Sequence, residues 1–480
     1  MRPVVSVESE STERRGAPGW AHSYALPLVV GAAVGAASAV LSRDPAVQGE
    51  ALSAILPTLV VWTAFAWIIA RDRALEGAPR IRLVVLLAFA LRVVFTFLYY
   101  FRVWVFSAPF VSGLHQGIGY DALVYDYWAR VVRESFLQGR FWVPIPLEQV
   151  GFVYFSAFVY LLFGEDAFFL GLLNTLFAGL LALETYRLVR LVGSELAARI
   201  ALILVFVVPD ALFLGSIGMK DVLVAYLLLA AYRSMVASSL ASWRSSLTPV
   251  LCIAWLTSLR FVAAVGVLAL AIWLVATRGR STSSVLRVAL LALVVVIGFA
   301  TAYGPEGGAL LLDPQAVWQS AQYTTSAETS LARLTFWDYN PLRAYLVPIR
   351  MGLLLVQPFP PFTFGDAEPA MASATVWLIL LLAPAALWTC WRTVRCRGPN
   401  REHGLVLVVP LVLQLAALAI LVPILSARWR LAQMPFFVSL AAVTLADPRT
   451  ARKAYLVLAP LLLVVVLSGW LAYAMIKSSK

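Results

Sequence analysis

The chain has 480 residues, 61% of them hydrophobic and only 13% charged, with a mean hydropathy of +0.86, which leaves too little polar surface for a water-soluble globular fold. A formal net charge of +12 does not mark a nucleic-acid binder, because the Lys and Arg residues stand in short clusters between apolar runs and not along one basic face. Three scattered cysteines and three distant histidines, without CxxC or HExxH spacing, exclude a disulfide framework and argue against a zinc site built from Cys and His.

Taken in order, residues 1–23 are polar and mixed in charge, and no small-residue cleavage motif separates them from the first apolar run. They are expected to form a cytoplasmic tail ahead of an uncleaved span. Apolar runs near 24–42 and 51–70 form a two-span hairpin within 24–82, and the arginines after it (Arg71, Arg73, Arg80 and Arg82) belong on the cytoplasmic side. A third span near 83–105 then leads outward. Arg92 within it is costly in lipid and must face protein or snorkel. It opens a core segment, 83–304, whose first outer loop is 106–166.

In that loop the stretch GYDALVYDYWARVVRESFLQG, Gly119 to Gly139, is polar, charged and helical in pattern. Asp121, Tyr125 and Trp128 fall at i, i+4 and i+7 and share a face. Asp126 and Arg130 pair on a neighbouring face, which leaves Asp121 without an evident local cation. The plain structural alternative is an interfacial helix with solvated acids and aromatics at headgroup depth. The apolar run 150–163 is short for a span and reads as an outer interfacial helix, with a tilted span left open.

Spans near 167–189 and 195–215 meet in a basic inner turn, and GSIGMKD makes a tight outer loop before a span at 221–238. Lys220 and Asp221 thereby share a membrane face with Asp121. The runs 247–259 and 261–277 are joined at LTSLRF, which puts Arg260 at or just below that face. After a span near 287–304 comes a second outer loop, 305–371; its apolar part, 342–358, reads as interfacial or re-entrant, because a span there would move two later basic clusters outside. The segment 372–480 holds the remaining spans, with Arg428 and Arg430 in the outer turn SARWR. The fold class expected is an all-α polytopic membrane protein with about 13 spans and outer-face interfacial helices. A cysteine placed at Ser479 should therefore react with a membrane-impermeant reagent applied outside, and one at Ser283 should be shielded. The opposite labelling would invert this topology.

An outer, membrane-level recess would then be bordered by Asp121, Asp221, Lys220, Arg260, Arg428 and Arg430. A carboxylate beside cationic donors suits group transfer from a phosphate leaving group, the acid taking a proton from an attacking hydroxyl and the cations stabilising the departing phosphate.

The helix GYDALVYDYWA resembles the D-A-x-x-Y-x-x-x-A helix in the first outer loop of GT-C membrane glycosyltransferases. The segment from VYFSAF to RLVRLVG resembles the next segment of family 39-like enzymes, the protein mannosyltransferases and lipid A aminoarabinose transferases. GMKDVLVA, LTSLRF and ARWRLAQMPFFVSLAA are similar to later motifs of those enzymes, in the same order. The resemblance implies a GT-C-type bundle in the plasma membrane with its site outside. It implies a polyprenyl-phosphate-linked sugar donor, an inverting transfer to a hydroxyl of a lipid, glycan or protein acceptor, Asp121 as base and Asp221 as a second outer acid. Lys220 and Arg260, with Arg428 and Arg430, would bind donor phosphate, and Tyr125, Trp128 and Asp126 would line the helix at the site. The family helix often begins Asp-Glu where this one reads Asp-Ala, so the use of a divalent cation stays open. Two alternatives also stand: a lipid-linked oligosaccharide polymerase or ligase, and a non-enzymatic transporter or flippase. The early DAxxYxxxA helix speaks against the first, and the gathering of ionisable residues at one surface instead of the midplane against the second.

Overall fold

The fold is known from a computed structural model that describes residues 55–72, 75, 78–100, 120–145, 150–165, 167–238, 243–278, 282–312, 344–356, 367–395, 399–421 and 427–478. The expected tail at 1–23, the span at 24–42 and the connection 106–119 lie outside the described residues. So does most of the second outer loop.

Every regular element among the described residues is helical. In chain order these are α1 (Ile55–Arg71), α2 (Pro79–Tyr100), α3 (Tyr120–Leu137), α4 (Val150–Phe163), α5 (Ala167–Val192), α6 (Glu195–Val207), α7 (Pro209–Leu214), α8 (Asp221–Ser238), α9 (Trp243–Leu259) and α10 (Phe261–Arg278). Next come α11 (Thr282–Leu312), α12 (Leu346–Val356), α13 (Ala367–Arg395), α14 (Pro399–Leu421), a 3-10 helix (Ala427–Ala432), α15 (Met434–Leu445) and α16 (Pro448–Ser478). Among the described residues, five stretches are long and apolar enough to cross a bilayer: Ala167–Val192, Asp221–Ser238, Ala370–Arg395, Arg401–Leu421 and Pro448–Ser468. Others, such as Phe261–Thr277 and Met434–Leu445, are apolar but fall short of the ~20 residues a perpendicular crossing needs. The larger number of spans expected from hydropathy is thus met only in part, by length and composition.

Burial separates these helices. In α5 and α8 about two thirds or more of the spanning window is covered by protein (67% and 72%), so they form the centre; the window of α16 is only 6% covered. That last helix shows Leu456, Val457, Leu461, Val464 and Val465 on its surface, an apolar face suited to hydrocarbon and not to water.

The one apolar run expected over 195–215 is broken into α6 and α7, and Pro209 is the reason. Proline has no N–H, so the carbonyl of Val205, four residues back, has no helical donor. Arg92 supplies it: the buried guanidinium donates to Val205 O (3.2 Å), Phe206 O (2.9 Å) and Ala211 O (2.7 Å). The arginine that looked costly in lipid is therefore turned into the bundle, where it caps a broken helix. Gly215 is needed beside it, since a Cβ there would meet Ala211 O at 2.5 Å and Arg92 Nη1 at 3.3 Å.

The tight loop expected after α7 is a turn enclosed by protein. Ser216, Ile217, Met219 and Lys220 are all buried. Asn174 of α5 holds the turn by donating to Ile217 O and to Met219 O (2.6 Å), and Thr175 donates to Gly215 O (3.0 Å). A buried turn needs such donors because its carbonyls have lost both water and helix. Nearer the far end of α5, Glu184 is buried between Arg187 and Arg233, and Arg187 also reaches Asp72 at 2.9 Å.

Candidate active site

Helix α3 starts at Tyr120, so Asp121 sits in its first turn, one turn before Tyr125 on the same helical face. The side chain of Asp121 lies outside the described residues. Tyr125 is 2% exposed, packed edge-on against Phe152 of α4 (5.2 Å between centroids). Its hydroxyl accepts a hydrogen bond from Lys220 Nζ at 2.6 Å, and the ammonium lies 5.1 Å from the ring centroid. The anchored turn before α8 thus delivers a buried cation to the face of α3 that carries Asp121.

Asp221 opens α8, where a carboxylate also complements the positive end of the helix dipole. It is 2% exposed and accepts from Arg260 Nη2 at 2.6 Å. Arg260 stands at the break between α9 and α10, the place where the chain leaves one helix and starts the next, and its guanidinium also lies over Trp429 at 5.2 Å. Trp429 and Arg430 come from the 3-10 helix. Arg430 is fully buried, donates through Nε to Asp210 Oδ2 at 2.6 Å and through Nη2 to Ala372 O at 2.6 Å. Asp210 itself receives Arg430 while its backbone N–H donates to Thr375 Oγ1 (2.9 Å). Arg428 is partly buried on the same 3-10 turn.

Tyr125, Lys220, Asp221, Arg260 and Arg430, expected together, are therefore gathered at one end of the bundle by separate elements. Asp210 and Trp429 were missed by sequence reasoning. A carboxylate directly after a proline inside an apolar run was the signal for Asp210, because an ionisable group there is costly unless partnered. Nothing local marks Trp429.

Asp126 has a different setting. It pairs with Arg130 at 3.0 Å, and it is also buried, accepting the hydroxyl of Tyr160 from α4. Arg130 and Arg133 in turn hold Glu165. This network ties α3 to α4; the pair expected from the i,i+4 spacing is present, with Arg130 still partly exposed and Asp126 enclosed by Tyr160. Trp128 is partly buried, edge-on to Tyr127 (5.4 Å). Among the described residues no three His, Cys, Asp or Glu side chains converge as a metal site.

No protein-family model matches the chain, and no curated protein does. Among solved structures, the Archaeoglobus fulgidus oligosaccharyltransferase AglB, in complex with an inhibitory peptide and a dolichol-phosphate, is similar at 14% identity and a TM-score of 0.41, over 82% of this chain and 56% of that one. The apo form of the Archaeoglobus fulgidus oligosaccharyltransferase is similar at 15% identity and a TM-score of 0.41, over 74% and 50%. The chain spans about half the length of these structures, and likeness at that score does not establish a common fold.

Proposed function

We propose that the protein is a membrane glycosyltransferase that moves a sugar from a polyprenyl-phosphate-linked donor to an acceptor hydroxyl at the outer face. The observation that carries this reading is the bond from buried Lys220 to Tyr125, one helical turn from Asp121, with the Asp221–Arg260 pair beginning at the very next residue. A lipid-linked phosphate is an anion on an apolar chain and calls for cations held at membrane level. An ammonium and a guanidinium each carry several N–H donors, the chemistry that phosphate oxygens require.

In the proposed reaction Asp121 takes the proton of the acceptor hydroxyl as its oxygen attacks the anomeric carbon. The bond from that carbon to the phosphate oxygen breaks, its electron pair leaves with the phosphate toward Lys220 and Arg260, and the sugar carbon inverts. Positioning and charge stabilisation supply most of the barrier reduction. Asp221 orients Arg260 in this scheme, and Arg430 braces the floor through Asp210 and the Ala372 carbonyl instead of reaching the phosphate. Asp126 fastens α3 to α4.

Purified protein incubated with labelled polyprenyl-phosphate sugars should release polyprenyl phosphate, and absence of release from every donor tried would count against an enzyme. In a Lys220→Met, Arg260→Met double variant, donor affinity should fall by some thirty-fold to several-thousand-fold, from the about 2–5 kcal/mol typical of truncating a desolvated charge pair. Unchanged donor binding in that variant would return both residues to purely structural roles.

A further inference from the structure

At the other end of the bundle a cavity of about 200 Å³ lies between α5, α13, α14 and α15. Its place is set by α13: Ala372 O is bound to Arg430 beside the candidate active site, and Arg392 comes twenty residues later, roughly 30 Å away at 1.5 Å per residue. That separation matches the hydrocarbon thickness of a bilayer, so the cavity opens at the opposite membrane surface.

Its lining has two halves. Val192, Leu407 and Val443 form an apolar side; Arg392, His403, Thr389 and Thr393 form a polar one. The two threonine hydroxyls are engaged, Thr389 with Leu440 O (2.8 Å) and Thr444, and Thr393 with Thr389 O (2.8 Å). Arg392 and His403 make no hydrogen bond or ion pair with any described residue. The charge facing Arg392 from the neighbouring elements is Asp447, whose carboxylate is occupied by Thr450 and the Arg449 N–H at the start of α16. Gly404 permits the close approach of α14 to α13, since a Cβ there would collide with the Thr393 side chain.

We propose that this cavity is a binding site for a phosphate anion, carried on the headgroup of an anionic phospholipid. A volume of about 200 Å³ is ample for one phosphate group. Arg392, exposed at this surface, supplies a planar fork of donors matched to phosphate oxygens, exposed His403 stands on the opposing helix, and Val192, Leu407 and Val443 give the apolar side beside them. The site is separate from the sugar-transfer reading and does not rest on it.

The test is native mass spectrometry of the purified full chain with phosphatidylglycerol, phosphatidylcholine or inorganic phosphate, with melting temperature read in parallel. Wild-type protein should retain phosphatidylglycerol in preference to phosphatidylcholine. Arg392→Gln with His403→Gln should lower that retention about tenfold, whereas Arg392→Lys, which keeps the charge but not the planar fork, should fall between the two. Stabilisation by inorganic phosphate that is lost in the double variant would assign the same pocket to a free anion. Equal retention of the two lipids by wild-type protein, with no stabilisation by phosphate, would overturn the proposal even if the double variant fails to fold.

Discussion

Asp121→Asn is expected to reduce sugar transfer by about 10² to 10⁴, the usual loss when a general base is removed, while donor binding and melting temperature stay near wild type. The residue lies in the first turn of α3, one turn before the Tyr125 that Lys220 engages, so an amide there keeps the size of the side chain and loses only its basicity. Asp126→Asn supplies the contrast. Its carboxylate is buried against Tyr160 and Arg130, and each hydrogen bond to a charged group is worth about 1.5–3 kcal/mol. That variant should therefore lose stability yet turn over normally per folded molecule. Transfer assays and thermal melts on both proteins separate the roles: an active Asp121→Asn beside a folded but inactive Asp126→Asn would move the base to the other face of the helix.

The second large effect is structural. Arg430→Met should destabilise the protein by about 3–5 kcal/mol, because Asp210 would be left as a buried carboxylate without its counter-ion. The Ala372 carbonyl would lose a donor at the same time. Removing the orphaned charge as well, in Arg430→Met with Asp210→Asn, should recover a large part of the loss, since much of the cost is an unpaired charge and not a missing attraction. Denaturant titration in mixed micelles reads both quantities. A single variant as stable as wild type would show that the pair does not brace the bundle.

Residue periodicity was enough to delimit several elements. The polar stretch 119–139 folds as the helix Tyr120–Leu137, the apolar run 150–163 as Val150–Phe163, and the helix after GSIGMK begins at Asp221. The interruption at Arg260 was visible in LTSLRF, and the Asp126–Arg130 pair in its i,i+4 spacing. These features depend on neighbours within a turn or two, where hydrophobic spacing and side-chain reach are properties of the chain itself.

Tertiary structure decided where buried charge goes. Arg92 was flagged as costly, but only packing brings it to the carbonyls freed by Pro209, more than a hundred positions along the chain. Asp210 meets Arg430 across an even longer separation, and Asp126 finds Tyr160 on the next helix. The turn before Lys220 reads as a tight outer loop; its burial, with Asn174 and Thr175 on α5 replacing the water its carbonyls would need, comes only from packing. A sequence window shows that an ionisable or turn residue must be satisfied; which partner satisfies it depends on helices brought together by burial of their apolar faces, and that contact has no local signature.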